Sequence, residues 1–120
     1  MSAEYILAHD LGTTGNKASL YDSQGKVLAS SFYGYGTEYP AVNCVEQNPE
    51  DWWKAVCVTT KEILIEAHVP PEAIAGISFS GQMMGCVAVD REVRPLRNAI
   101  IWADQRGIGE AKILIEKIGM

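Results

Sequence analysis

Asp10-Leu11-Gly12-Thr13-Thr14-Gly15-Asn16-Lys17 lies between two short apolar runs, Tyr5-Ile6-Leu7-Ala8 and Ala18-Ser19-Leu20-Tyr21. In that setting it reads as strand, tight turn, strand. An acid closes the first strand, two glycines bracket two hydroxyls, and a lysine follows. A glycine turn lets backbone N–H groups converge on an anion. Threonine hydroxyls add donors at the same point. A nearby carboxylate can hold a hydrated Mg²⁺, which neutralises phosphate oxygens. These are the parts a nucleotide γ-phosphate requires. The same residue types also make an ordinary polar hairpin turn, so the rest of the chain must decide between the two.

The stretch is not a Walker loop, which ends in Gly-Lys-Ser/Thr, nor a dinucleotide fingerprint, which needs a helix after the glycines. A strand follows instead. The 120 residues are 48% apolar, enough for one core and not two. The net charge of −5 and the lack of a Lys/Arg cluster exclude a general grip on nucleic acid or on anionic membranes. Cys44, Cys57 and Cys86 are widely spaced, and no signal peptide or membrane-length apolar run is present, so a cytoplasmic protein with reduced thiols is expected. Cys57 and Cys86 are expected in the core. His9 and His68 are expected to be packed or surface residues, with no metal site.

Residues 5–10, 17–22 and 26–33 read as an antiparallel meander, with the turn Asp22-Ser23-Gln24-Gly25 joining the last two. Residues 34–48 read as loop. Asn48-Pro49-Glu50-Asp51 starts a helix whose apolar positions recur every three to four residues and which Pro70-Pro71 ends. Trp52 and Trp53 are expected to anchor it in the core. Residues 73–80 predict a buried strand, 86–90 another, and 99–102 a short apolar segment. Residues 105–118 predict a helix that buries Ala111, Leu114, Ile115 and Ile118. The order β-β-β-α-β-β-(β)-α implies a mixed sheet with helices against it. Asp10, the Gly81 loop and the Trp102 loop then fall at strand ends, where ligand crevices form in α/β sheets.

Three further segments accompany the first: Glu46-Gln47-Asn48-Pro49-Glu50-Asp51-Trp52-Trp53, Ile77-Ser78-Phe79-Ser80-Gly81-Gln82-Met83-Met84-Gly85, and Ile100-Ile101-Trp102-Ala103-Asp104-Gln105-Arg106. In order and spacing the four segments resemble the N-terminal part of the FGGY carbohydrate kinases, with the nearest look to their xylulose kinase branch. The resemblance covers essentially the whole chain. It implies a ribonuclease H-like fold of the actin/hexokinase type, an α/β mixed sheet with flanking helices, in which two such domains enclose ATP and sugar. By position, Asp10 would meet Mg²⁺ and the transferring phosphoryl group. Gly12, Thr13 and Thr14 would form the phosphate loop, and Lys17 would replace a basic residue near the γ-phosphate. Gln82, Met83 and Met84 would occupy the sugar loop, with Trp102 and Asp104 in a second sugar-side segment.

The implied activity is ATP-dependent phosphorylation of a sugar: a pentulose such as D-xylulose, or a related ketose or polyol. One departure bears on the substrate. Where xylulose kinases typically read Gln-Met-His-Gly, this chain has Gln82-Met83-Met84-Gly85, and a thioether is a weak acceptor at best. Met83 and Met84 also suit gap-filling in a core. The family is several times longer, so residues 1–120 are expected to be a truncated N-terminal part of the first domain. The sugar-deprotonating aspartate and the adenosine site would lie beyond residue 120. The expected partners are the sugar and the remainder of the kinase chain, with a homodimer left open. The competing reading is a catalytically inactive sugar-binding or protein-interaction module of the same fold. A ribonuclease H-like nuclease would need clustered carboxylates around two metals, and Asp10 has no such companions in the sequence.

Overall fold

A computed structural model of the chain describes residues 4–119. Strands β1 (Tyr5–Leu11), β2 (Gly15–Tyr21) and β3 (Val27–Gly34) form the expected antiparallel meander. The turn between β2 and β3 is fixed by Asp22, whose Oδ1 accepts from the N–H groups of Gln24 and Lys26, both at 2.9 Å. Gly25 there takes φ +80°, which a side chain would resist. Helix α1 (Pro49–Ala67) carries the chain to β5 (Ile74–Gly81), which lies parallel to β1. A mixed four-stranded sheet in the order β3-β2-β1-β5 results, as the apolar pattern implied.

Helix α1 covers β2 and β3. Its residues Ala55, Val56, Thr59 and Ile63 are buried, and Ile63 joins Leu7, Ala18, Leu20, Ala29 and Val69 in the core. The helix stops before the prolines expected to stop it. His68 takes a left-handed φ of 54°. Its N–H donates to the Ile65 carbonyl at 3.3 Å, and the Val69 N–H donates to the Leu64 carbonyl at 3.1 Å. This is the paired closing bond of a Schellman end, with Val69 in the buried cluster and Leu64 packed against that cluster.

Two compact units divide the chain. The first comprises the N-terminal stretch through Gly36 together with Pro49–Gln82; the second comprises Thr37–Asn48 and the chain from Met83 onward. In the second unit two short strands, β4 (Glu46–Gln47) and β6 (Ala99–Ile100), pair antiparallel, and helix α2 spans Ile108–Ile118. Strand β4 lies inside the expected 34–48 loop. Residues 86–90, expected as a strand, make only single bridges, Cys86 to Ile100 and Val89 to Pro95.

Several expected burials fail. Strand β5 is largely exposed, with Ile77 and Phe79 more than half accessible. Along α2, Leu114, Ile115 and Ile118 are exposed, as is Ala111. Trp53 is exposed and Trp52 half-buried; Cys57 is half-buried and Cys86 exposed. Along β5 and α2 the periodicity marks apolar faces that stay exposed among the described residues, whereas on α1 the buried stripe runs through Ala55, Val56, Thr59 and Ile63, beside the tryptophans and Cys57.

Candidate functional site

Strand β1 lies between β2 and β5, so its last residues are held from both sides. Asp10 faces Lys17 across the β1–β2 ladder and Ser80 across the β1–β5 ladder. The Ser80 hydroxyl donates to Asp10 Oδ1 at 3.1 Å. Both Asp10 and Lys17 are exposed. Alternation puts them on the face away from Leu7 and His9. They line a cavity of about 350 Å³ together with Ser19, Tyr21, Ser78 and Ser80.

The turn that follows is closed by its own backbone. The Gly12 N–H donates to the Gly15 carbonyl at 3.0 Å, and the Gln82 N–H donates to the Leu11 carbonyl at 2.8 Å. The second bond seats Gln82 beside the end of β1. Gly15 is required by contact, since a Cβ there would stand 2.4 Å from the Phe32 ring and 2.7 Å from the Tyr33 carbonyl. Tyr35, which the sequence reading did not single out, donates its hydroxyl to the Gly12 carbonyl. Burial first, and then the negative charge of Asp10, push its phenol up to about 12.

Behind the strand end lies a polar network. His9 is 2% exposed. Its Nδ1 accepts from the Asn16 amide at 2.9 Å, and Nε2 faces the Thr60 hydroxyl at 3.3 Å. The Asn16 amide also donates to Thr59 Oγ1 at 3.0 Å. The imidazole lies flat on Phe79, with ring centroids 5.3 Å apart. Burial lowers the His9 pKa against the raising effect of Asn16, so the ring is held neutral. The histidine is thus packed, and it binds β1, β2 and α1 together.

The other residues expected on the sugar side belong to the second unit. Met83 is 77% and Met84 86% exposed, so neither fills a gap. Met84 takes φ 59°, a left-handed conformation uncommon outside glycine. Trp102 is half exposed. Asp104 is different: its side chain is 3% exposed. Its Oδ2 accepts from Arg106 Nη2 at 2.7 Å and from the Val45 N–H at 2.6 Å, and its Oδ1 accepts from the Arg106 N–H at 3.0 Å. Arg106 also donates to Glu46 at 2.8 Å, and Arg97 donates to the same Glu46 oxygen. The Arg106 guanidinium holds the Asp104 carboxyl far below the usual carboxylate range and also lowers Glu46. Glu46 opens one of the four segments singled out in the sequence but was given no role there, and Arg97 was not singled out.

Among the described residues no three or more His, Cys, Asp or Glu side chains cluster to hold a metal. A single exposed carboxylate beside hydroxyls and a glycine turn instead suits a Mg²⁺ that arrives on phosphate, since that ion keeps most of its waters and takes few protein ligands. Among the described residues no helix is long and apolar enough to cross a membrane.

Residues 5–120 match the N-terminal domain of the FGGY family of carbohydrate kinases. A glycerol kinase of Nostoc sp. is 37% identical over 106 residues, 88% of this chain and 21% of its own length. The xylulose kinase of Bacillus subtilis is 37% identical over 116 residues, 97% of this chain and 23% of its own length. The crystal structure of gluconate kinase from Lactobacillus acidophilus superposes with a TM-score of 0.86 at 30% identity, over 96% of this chain and 23% of that one. The chain therefore spans between a fifth and a quarter of these relatives.

Proposed function

The chain belongs to the FGGY family of carbohydrate kinases, and from that premise we propose that the protein carrying it moves the γ-phosphoryl group of ATP to a sugar hydroxyl. Residues 1–120 are then the N-terminal part of its first domain. The observation that supports this most is the end of β1, where Asp10 stands beside Ser80 and across from Lys17, next to a turn closed on its own carbonyl.

Phosphoryl transfer depends on position and on charge stabilisation more than on covalent help from the protein. Magnesium bound with the nucleotide neutralises phosphate oxygens. Asp10 is the residue that would hold that ion at the strand end. Gly12, Thr13 and Thr14 form the phosphate loop: Gly12 closes the turn with its N–H on the Gly15 carbonyl, and the threonines turn N–H and hydroxyl donors toward the phosphate. Lys17 contributes positive charge from the neighbouring strand. Gln82, Met83, Met84 and Trp102 bound the sugar side, the indole packing on an apolar sugar face. Asp104 serves that side by fastening the Val45 and Arg106 backbone, which sets the Trp102 segment. The base that takes the hydroxyl proton and the adenosine site come from the remainder of the kinase chain.

The substrate is a pentulose such as D-xylulose, or a related ketose or polyol. The exposed Met84 thioether, which offers little hydrogen bonding, supports a substrate that makes an apolar contact there. Three free cysteines and no membrane-length helix among the described residues support a cytoplasmic enzyme. The test is Asp10→Asn in the native-length protein, assayed for transfer to xylulose, glycerol and gluconate. Turnover should fall by about 10²–10³, the scale of a lost electrostatic contact in a transition state, with sugar affinity spared. Loss of sugar binding with turnover intact would refute the phosphate-side assignment.

A further inference from the structure

Tyr35 touches the turn after β1 twice. Its hydroxyl donates to the Gly12 carbonyl, and its own N–H donates to the Thr14 carbonyl at 3.2 Å. The third carbonyl, that of Gly15, is held by the Gly12 N–H at 3.0 Å. Carbonyl oxygens repel an anion, and N–H groups and hydroxyls attract it. A short turn rich in glycine has several ways to arrange its peptide planes, and only some aim its donors outward. Partners on the carbonyls remove the others.

We propose that Tyr35 is the positioning residue of this turn, a clip that fixes the Gly12 and Thr14 carbonyls so that the turn meets a phosphoryl group through its donors. The proposal rests on the kinase reading of Asp10 and the turn. A phenol raised to about 12 by burial and by the Asp10 charge stays protonated at neutral pH, so the hydroxyl keeps its proton to donate. Tyr35 touches neither sugar nor nucleotide in this role. It acts through the Gly12 peptide.

Tyr35→Phe removes one oxygen and keeps the ring. Two measurements test it. In the native-length protein, amide exchange at residues 12–15 should quicken about five- to tenfold, the equilibrium effect of one hydrogen bond, while the Leu20 and Ile63 amides keep their wild-type rates. In the native-length protein, kcat/KM for ATP should fall by about the same factor with the sugar KM unchanged. Wild-type exchange at the turn with a wild-type kcat/KM for ATP would overturn the clip. So would faster exchange throughout the core, which would make Tyr35 a general stability residue. Asp10→Asn, run in parallel, separates the two ideas: full turnover in that variant refutes the phosphate-side reading of Asp10 and its turn, whereas its loss beside an unaffected Tyr35→Phe refutes only the clip.

Discussion

Asn16 is the residue on which the back of the site turns. One amide group supplies hydrogens to both His9 Nδ1 and Thr59 Oγ1, and the residue is fully buried. Asn16→Ala leaves the imidazole and a hydroxyl facing each other without their shared donor. It should cost about 1–3 kcal/mol, the penalty for stranding a buried polar group, as a lower urea midpoint with unchanged slope. Leu in place of His9 combined with Ala at 16 should recover part of that loss, because both partners then vanish together. This network was only half legible. The sequence left His9 as either a packed or a surface residue, and the structure places it in the interior. Its partners were not legible, because Thr59 and Thr60 lie more than 40 residues away and threonine in a helix carries no pattern that announces a strand partner. Asp10, Lys17 and the glycine turn were legible because they are local. Tyr35 was not, because it reaches back across a whole hairpin to Gly12.

At the scale of elements, β4 and β6 are only two residues each, and an ionic cluster replaces the length they lack. Arg106 joins Glu46 of β4 to Asp104, and Asp104 in turn holds the Val45 N–H. Both carboxyls have lowered pKa values in the fold, chiefly through Arg106. The unfolded chain therefore binds protons first as pH drops. The stabilisation is fully present above their ordinary pKa values, about 4 to 4.5, and is lost progressively below them. Amide exchange at Glu46 and Ile100 should accelerate as pH falls below about 4.5 relative to the base-catalysed trend, while Leu20 and Ile63 lag behind. A flat response at Glu46 and Ile100 would contradict the role given to the cluster. A two-residue strand cannot be seen by alternation, which needs four or more positions. The long elements show the reverse. The apolar stripes of β5 and α2 were read correctly as stripes, yet Phe79 and Ile118 lie exposed, since a period tells which face is apolar and not whether anything covers it.

At the scale of the whole molecule, the exposed stripes and the comparison of lengths fit together. The relatives run four to five times longer than this chain, and exposed apolar faces of this size are the kind of surface that packs against other protein. The isolated 120 residues should transfer phosphate to no sugar at a rate above background in a coupled assay with ATP and Mg²⁺, because the proton acceptor is expected beyond residue 120. Stoichiometric transfer by the pure chain would overturn that expectation. The parallel pairing of β1 with β5 also sets a schedule for the newborn protein. The partner of the Asp10 strand on that side is made about 70 residues later, so at bacterial and eukaryotic ribosome speeds of about 5–20 residues per second the strand waits several seconds with one edge open. Codon choice and chaperone access along Pro49–Ala67 then become levers on yield that act before any nucleotide is met.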